Sequence, residues 1–284
     1  MADFVWYYDS AMDITENELK IAIEATKEAG LILLRYYDTE LTVETKENNT
    51  PVSNADYAAN DFIIKKLSSH FPYPILSEES VDNKKRLRAK RTWIIDPLDG
   101  TKDFIEKTGE FSIAIGLVED NQPILGVVYR PTTQELFYAQ KGIGSFKETN
   151  GILQKLAVTR SDSVSAAEFA ISKLDSKHSG YMDRMGAMNR TRIGSAAYKI
   201  CKVAQGKYDA YFVIKSRMSE WDDCAAGLIL TEAGGTLSDV FGDPLLYNQE
   251  NVSRAKGVIA SNKNLYRELL QKINPIASEE YNIT

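Results

Sequence analysis

Only two cysteines and two histidines occur among the 284 residues. Cys201 and Cys224 lie inside apolar, helix-like patterns without a C-x-x-C partner, so both read as buried thiols and not as a disulfide or a metal pair. His70 and His178 stand outside the acidic motifs of the chain, which argues against a histidine-rich zinc centre. Long apolar runs are missing as well: a stretch such as 111–118 has the length of a buried strand and not of a membrane span. Residues 1–19 carry acids and no basic cluster ahead of an apolar segment, so a secretory signal is not expected and a cytoplasmic location is. Internal repeats, low-complexity tracts and Pro/Gly/Ser linkers are absent from the sequence too.

Basic residues are outnumbered, 34 against 40 acidic, for a formal charge of −6. The one dense basic run, Lys84-Lys85-Arg86-Leu87-Arg88-Ala89-Lys90-Arg91, precedes a buried-strand pattern and has no interleaved aromatics. It reads as a solvated loop or helix face, and polynucleotide binding is not expected.

What is present is an ordinary globular composition, 43% hydrophobic and 26% charged, in a chain long enough for a full core. Apolar residues spaced by three and four predict helices over 14–37 and over 54–71, the second with Asn54 as its cap and Asp56 in its first turn. Short apolar runs at 73–76, 92–95, 111–118, 124–129 and 135–139, separated by turn residues, predict strands in an antiparallel meander. Strands at 169–172, 208–214 and 257–260 then alternate with helices at 195–204, 222–233 and 262–273. The expectation is an α/β (α+β) protein of two packed subdomains, 1–155 with most of the acids and 156–284, with a site between them.

The most informative stretch is Trp93-Ile94-Ile95-Asp96-Pro97-Leu98-Asp99-Gly100-Thr101-Lys102. A buried strand delivers two acids into a turn, Pro97 stops the ladder, and Gly100 lets backbone approach a ligand closely. A helix turn starting here would aim the Gly100 and Thr101 N–H groups at a phosphate oxygen. The 73–76 strand likewise ends in Ser77-Glu78-Glu79, and Glu220-Trp221-Asp222-Asp223 puts acids at a helix start. Carboxylates suit Mg²⁺, which binds through a few acids plus substrate phosphate. Taken singly, each acid is as well explained as a cap or dipole partner.

Together, Glu78-Glu79-Ser80, Asp96-Pro97-Leu98-Asp99-Gly100-Thr101, and Trp221-Asp222 followed by Ala225-Ala226-Gly227 and Thr231-Glu232-Ala233-Gly234-Gly235 resemble the inositol monophosphatase superfamily over nearly the whole chain. The resemblance implies a layered α/β/α/β/α sandwich of the inositol monophosphatase and sugar phosphatase type. It implies two or three Mg²⁺ ions per active site, ligated by Glu78, Asp96, Asp99, Asp222 and the Leu98 carbonyl. It also implies Li⁺ sensitivity, possible homodimers and a small phosphate ester as substrate. Lys46, Pro51-Val52-Ser53 and Asp56 resemble the segment that serves a third metal and positions water, with Ser53 where the family usually has threonine. By the same resemblance Thr101 orients or helps deprotonate the water, backed by Glu78, Glu79 or Asp56.

Three features bear on the substrate. Lys102, with Lys102-Asp103-Phe104-Ile105 and Gly109-Glu110-Phe111-Ser112, resembles 3'(2'),5'-bisphosphate nucleotidases, although some histidinol-phosphate phosphatases also place lysine there. Lys215 stands where inositol monophosphatases carry a glutamate, and with Arg217 it offers cations to a second phosphate. Gly194-Ser195-Ala196-Ala197-Tyr198-Lys199-Ile200-Cys201 resembles the helix whose start touches substrate, bringing Ser195 and Lys199 towards it, but has the length found in inositol-type enzymes. The expected reaction is hydrolysis of 3'-phosphoadenosine 5'-phosphate to AMP and phosphate. Inositol-1-phosphate, histidinol phosphate or a sugar phosphate are the alternatives, and a non-catalytic nucleotide-binding scaffold is the remote one.

Overall fold

The computed structural model describes residues 16–39, 41–46, 51–172, 178–215 and 217–283. Most of the segment that bears on a secretory signal, 1–15, lies outside this set. Helix α1 (Glu16–Tyr37) buries Leu19, Ala22, Ala25, Ala29 and Leu33 on one stripe, as spacing by three and four requires. An antiparallel pair, β1 (Val43–Thr45) and β2 (Pro51–Ser53), leads into α2 (Asn54–His70). Its cap is Ser53 and not Asn54: Ser53 Oγ accepts from Ala55 N at 3.3 Å, and Asp56 at the third helical position takes the Ser53 N–H at 2.8 Å.

Both helices cover one face of a seven-stranded sheet made of β3 (Ile75–Ser77), β4 (Arg91–Asp99), β5 (Ser112–Glu119), β6 (Gln122–Arg130), β7 (Glu135–Gln140), β8 (Gly144–Thr149) and β9 (Ile152–Lys155), in that spatial order. Only β3 and β4 run parallel, and the rest is the expected meander. Pro97 does not end β4. Asp96 pairs with Ala114 and Asp99 with Ser112, so three steps on β4 oppose two on β5, and the proline sits in a bulge.

A one-turn helix, α3 (Thr101–Ile105), follows β4. The second half contains β10 (Glu168–Ile171), α4 (His178–Met185), β11 (Asn189–Arg192), α5 (Ala196–Ala204), β12 (Ala210–Val213), α6 (Glu220–Glu232), β13 (Gly235–Ser238), β14 (Val258–Asn262) and α7 (Tyr266–Tyr281). Its five strands form a sheet in the order β11-β10-β12-β14-β13. The α/β alternation produces parallel pairs only around β10, because β14 runs antiparallel to both neighbours. Helix α7 outruns its expected end at 273 and carries Pro275 inside it. Helices α5 and α6 lie between the sheets, and α4 and α7 cover the outer face of the second. The layers are therefore α/β/α/β/α.

Helix α6, almost wholly buried between two sheets, sits unusually close to the first. Gly116 and Gly126 face each other across β5 and β6, and a Cβ on Gly126 would lie 2.4 Å from the Ala225 carbonyl oxygen. This contact brings the first turn of α6 down beside the bulged end of β4. Both cysteines are buried in these middle helices, as expected. The basic run is a different matter: Lys85–Arg88 is a short 3-10 helix, and Arg86 is 1% exposed. Its guanidinium is paired inside the protein and not solvated. Among the described residues no helix is long and apolar enough to cross a membrane.

Candidate active site

Asp96 and Asp99 leave the two sides of the β4 bulge, and Asp222 comes from the first turn of α6. One carboxylate oxygen from each lies within 4.8 Å of the others. Asp96 Oδ1 takes the Leu98 N–H at 3.0 Å, while its buried Oδ2 has no hydrogen-bond partner. Asp222 Oδ2 takes the Ser219 N–H at 2.6 Å. Asp99 meets the start of α5: Ser195 Oγ donates at 2.5 Å, Ala197 N at 2.7 Å and Ala196 N at 3.1 Å.

No ion pair within 4.0 Å reaches these three acids among the described residues. Burial, followed by the charge of Glu78, Asp99 and Asp222, pushes Asp96 well above the ordinary carboxylate range. Asp222 is raised in the same way by burial and then by Asp99 and Glu78. Asp99 is raised by burial, with its α5 donors and the charge of Lys199 opposing.

A second acidic group lies alongside. Glu78 and Glu79 follow β3, and Lys46 clamps both, at 2.9 and 2.6 Å. Glu79 is pushed up to about 7 by burial and by Glu78, against the pull of Lys46. Asp56 is fully buried and accepts from Ser53 Oγ at 2.6 Å and from Thr101 Oγ1 at 3.0 Å. The Leu98 carbonyl is the other acceptor within reach of the Thr101 hydroxyl, at 3.2 Å. Gly100, at φ +97°, opens α3; a side chain there would be strained and would press on the Glu110 carbonyl.

The α5 residues behave differently from each other. Ser195 is engaged: besides Asp99 it accepts from Tyr198 N at 2.9 Å and touches Ser112 Oγ at 2.9 Å, so its hydroxyl orients Asp99. The contact of Ser112 with Ser195 is not foreseen in the sequence, since nothing there links residues 83 positions apart. Lys199 is 3% exposed, donates to the Ile193 carbonyl at 3.3 Å and faces the Tyr211 ring at 5.1 Å. Burial lowers it to about 8, with Asp99, Asp103 and Asp222 pulling it back up.

The remaining cations stay outside this cluster. Lys102 is exposed and lies 3.8 Å from Glu106. Lys215 pairs with Glu280 at 3.4 Å, beside the Tyr281 ring on α7. Arg217 is exposed.

This arrangement of acids on a bulged strand, a helix start and a strand end occurs in a chain whose residues 15–279 match the inositol monophosphatase family. The chain belongs to that family. It is a phosphoric monoester hydrolase acting on a small phosphate ester, as members of the family are. The 3'(2'),5'-bisphosphate nucleotidase CysQ of Aggregatibacter actinomycetemcomitans is 36% identical over 241 residues, 83% of this chain and 89% of that one. An inositol-1-monophosphatase of Bacillus subtilis is 32% identical over 260 residues, 88% and 96% of the two chains. The solved inositol monophosphatase of Thermotoga maritima superposes with a TM-score of 0.81 at 28% identity, covering 93% of this chain and 99% of its own. Inositol monophosphatase family enzymes are typically metal-dependent, and the Asp96, Asp99 and Asp222 cluster supplies the acidic site that such dependence needs.

Proposed function

We propose that the chain is a Mg²⁺-dependent 3'(2'),5'-bisphosphate nucleotidase that hydrolyses 3'-phosphoadenosine 5'-phosphate to AMP and phosphate. The observation that carries the bisphosphate reading is Lys199, a buried ammonium beside the acids with a single carbonyl partner. An ammonium carries three N–H donors, so beyond the Ile193 carbonyl and the Tyr211 ring it has a donor to offer an anionic group other than the phosphate being removed. Lys215, held by Glu280, is less well placed for that role. The CysQ relatives support the same substrate class.

The donors fit a hard divalent cation. All are oxygens, Asp96 Oδ2 is buried without a partner, and three mutually repelling carboxylates converge. Asp96, Asp99, Asp222, Glu78 and the Leu98 carbonyl would hold the ions. When bound, Mg²⁺ supplies charge neutralisation at the phosphoryl group and a lowered pKa for the attacking water.

The chain's own residues do the rest. Thr101 Oγ1 orients the water and passes a proton to Asp56, its 3.0 Å partner. Glu79, held by Lys46 at 2.6 Å, is a second carboxylate acceptor alongside. The Gly100 and Thr101 N–H groups face the phosphate, while Ser195 keeps Asp99 in place. A second reading, inositol-1-phosphate hydrolysis, is favoured by the length of the 194–201 segment and by the Bacillus relative.

The test is phosphate release from 3'-phosphoadenosine 5'-phosphate, inositol-1-phosphate, histidinol phosphate and a sugar bisphosphate, with Mg²⁺ and with a chelator. The expected result is the highest kcat/KM for the nucleotide, lost on chelation and restored by Mg²⁺. Preference for inositol-1-phosphate would overturn the substrate and keep the hydrolase. Release from none of them would turn the reading to a binding scaffold.

A further inference from the structure

The loop 246–254 lies behind the acids and is fastened to both arms that carry them. On the α6 side, fully buried Glu220 accepts from Asn248 N at 2.5 Å and Gln249 N at 2.8 Å. Glu220 N donates to the Val252 carbonyl at 2.9 Å, and Arg254 N to the Met218 carbonyl at 2.8 Å, so Ser219 is gripped between two backbone bonds. The Arg254 guanidinium reaches both oxygens of Asp223, at 2.7 and 2.9 Å.

On the other side, Arg86 donates to Asn248 Oδ1 at 2.8 Å and to the Gln249 carbonyl at 2.9 Å, and Asn248 Nδ2 returns a bond to the Arg86 carbonyl at 3.1 Å. Lys84 Nζ reaches the Glu250 carbonyl at 2.8 Å.

The two fastenings matter because of what they hold. Ser219 N–H is the donor that fixes Asp222 Oδ2, so gripping Ser219 fixes the direction of Asp222. Arg86 lies on the segment that begins with Glu78 and Glu79, and Asp82 fixes its guanidinium at 2.8 and 3.0 Å. Asp96, Asp99 and Asp222 converge without a counterion in ion-pair range among the described residues, and Glu78, whose partner is Lys46, adds its charge alongside; arms free to spread would have to be drawn back at each binding event.

We propose that loop 246–254 is a clasp that presets the spacing between the Glu78 arm and the Asp222 arm, with Arg86 and Arg254 as positioning residues for metal affinity. The inference rests on the metal reading above. Neither arginine is placed at the reacting groups, so each acts through the acids it positions and not on the substrate.

The test uses the full chain and Mg²⁺ itself, with binding measured by titration calorimetry and the Mg²⁺ dependence of phosphate release measured in parallel. In Arg86→Lys and in Arg254→Lys the metal dissociation constant is expected to rise about tenfold, the effect typical of residues that orient metal ligands. The Mg²⁺ concentration for half-maximal rate rises with it, while kcat at saturating Mg²⁺ and substrate KM stay within about twofold. Asp209→Asn, which loosens a buried network far from the clasp around Glu168 and Thr159, is expected to lower Tm and leave metal affinity unchanged. Asn248→Ala, which cuts only the link to Arg86, gives a smaller shift in the same direction and keeps the test open if a lysine variant does not fold. Metal affinity unchanged in the clasp variants, with Tm lowered, overturns the clasp and leaves the metal site standing. A wild-type chain that binds no Mg²⁺ overturns both.

Discussion

Asp222 and Asp223 are neighbours on one turn of α6, yet they belong to two regions with opposite electrostatics. Asp223 is 0% exposed and meets Arg254 at two points, and Arg254 packs over the Tyr247 ring at 4.6 Å. Burial pushes the Asp223 carboxyl up, and Arg254 pulls it back. Asp222 instead faces Asp96 and Asp99 with no cation in ion-pair range among the described residues. Helix propensity and position in the helix are shared, so they do not explain the difference. A buried carboxylate met by a guanidinium secures the fold; carboxylates that converge without one are held in place for something that is not part of the chain.

The largest effects expected from breaking this contrast are opposite in kind. Asp96→Asn should cut phosphate release on the order of 10³-fold, since one metal ligand supplies several kcal/mol of charge stabilisation. The metal-free protein should meanwhile gain about 1 kcal/mol, because a repelling charge is gone. Asp223→Asn should cost about 3–5 kcal/mol of stability by leaving Arg254 buried and unpaired. Denaturant unfolding in chelator, set beside kcat, checks both. A metal-free Asp96→Asn chain that is destabilised as much as Asp223→Asn would erase the distinction between the two regions.

Proton linkage gives the next effect. Asp96, Asp99 and Asp222 all have folded pKa values above the ordinary carboxylate range, with burial the leading cause. The folded, metal-free chain therefore binds more protons than the unfolded one. Its stability is fully present below the ordinary carboxylate range and is lost as pH rises through the raised values. A divalent cation competes with those protons, so the rise in Tm on adding Mg²⁺ should be larger at pH 8 than at pH 6. At a hundredfold excess over the dissociation constant the gain is about 2.7 kcal/mol. A gain independent of pH would mean that the cluster is already ionised before metal arrives.

The sequence motifs located the acids because each sits where a strand ends or a helix begins, and chain punctuation such as Pro97-Leu98-Asp99-Gly100 is local. The individual helices and strands followed from apolar periodicity for the same reason, whereas their stacking in five layers came from the family resemblance. What escaped was decided at long range. Arg86 resembles its solvated neighbours until Asn248, 162 residues later, is folded against it. Lys215 reads as an unpartnered loop cation until α7 sets Glu280 3.4 Å from it. The pair Asn150-Gly151, with φ of 52° and 75°, closes the β8–β9 hairpin and is a local turn signal that the short, fully exposed strand after it obscures. The bulge in β4 depends on its register with β5, which no single strand encodes.

Lys199 sharpens the comparison from the other sign of charge, with the smallest effect. It is a buried cation without a carboxylate in ion-pair range among the described residues, lowered by burial to about 8. A lysine with a depressed folded pKa binds fewer protons in the folded state between about 8 and its ordinary value. Stability should therefore rise with pH across that window, and the charged form is carried at a cost below it. In Lys199→Met that rise should vanish. If the ammonium is kept for a second phosphate, the same substitution should lower kcat/KM for 3'-phosphoadenosine 5'-phosphate about tenfold, the scale of one charge-assisted hydrogen bond, and leave a simple monophosphate nearly unchanged. Equal losses on both substrates would show that Lys199 serves the acids and not a second anion, and the bisphosphate reading would lose its main structural support.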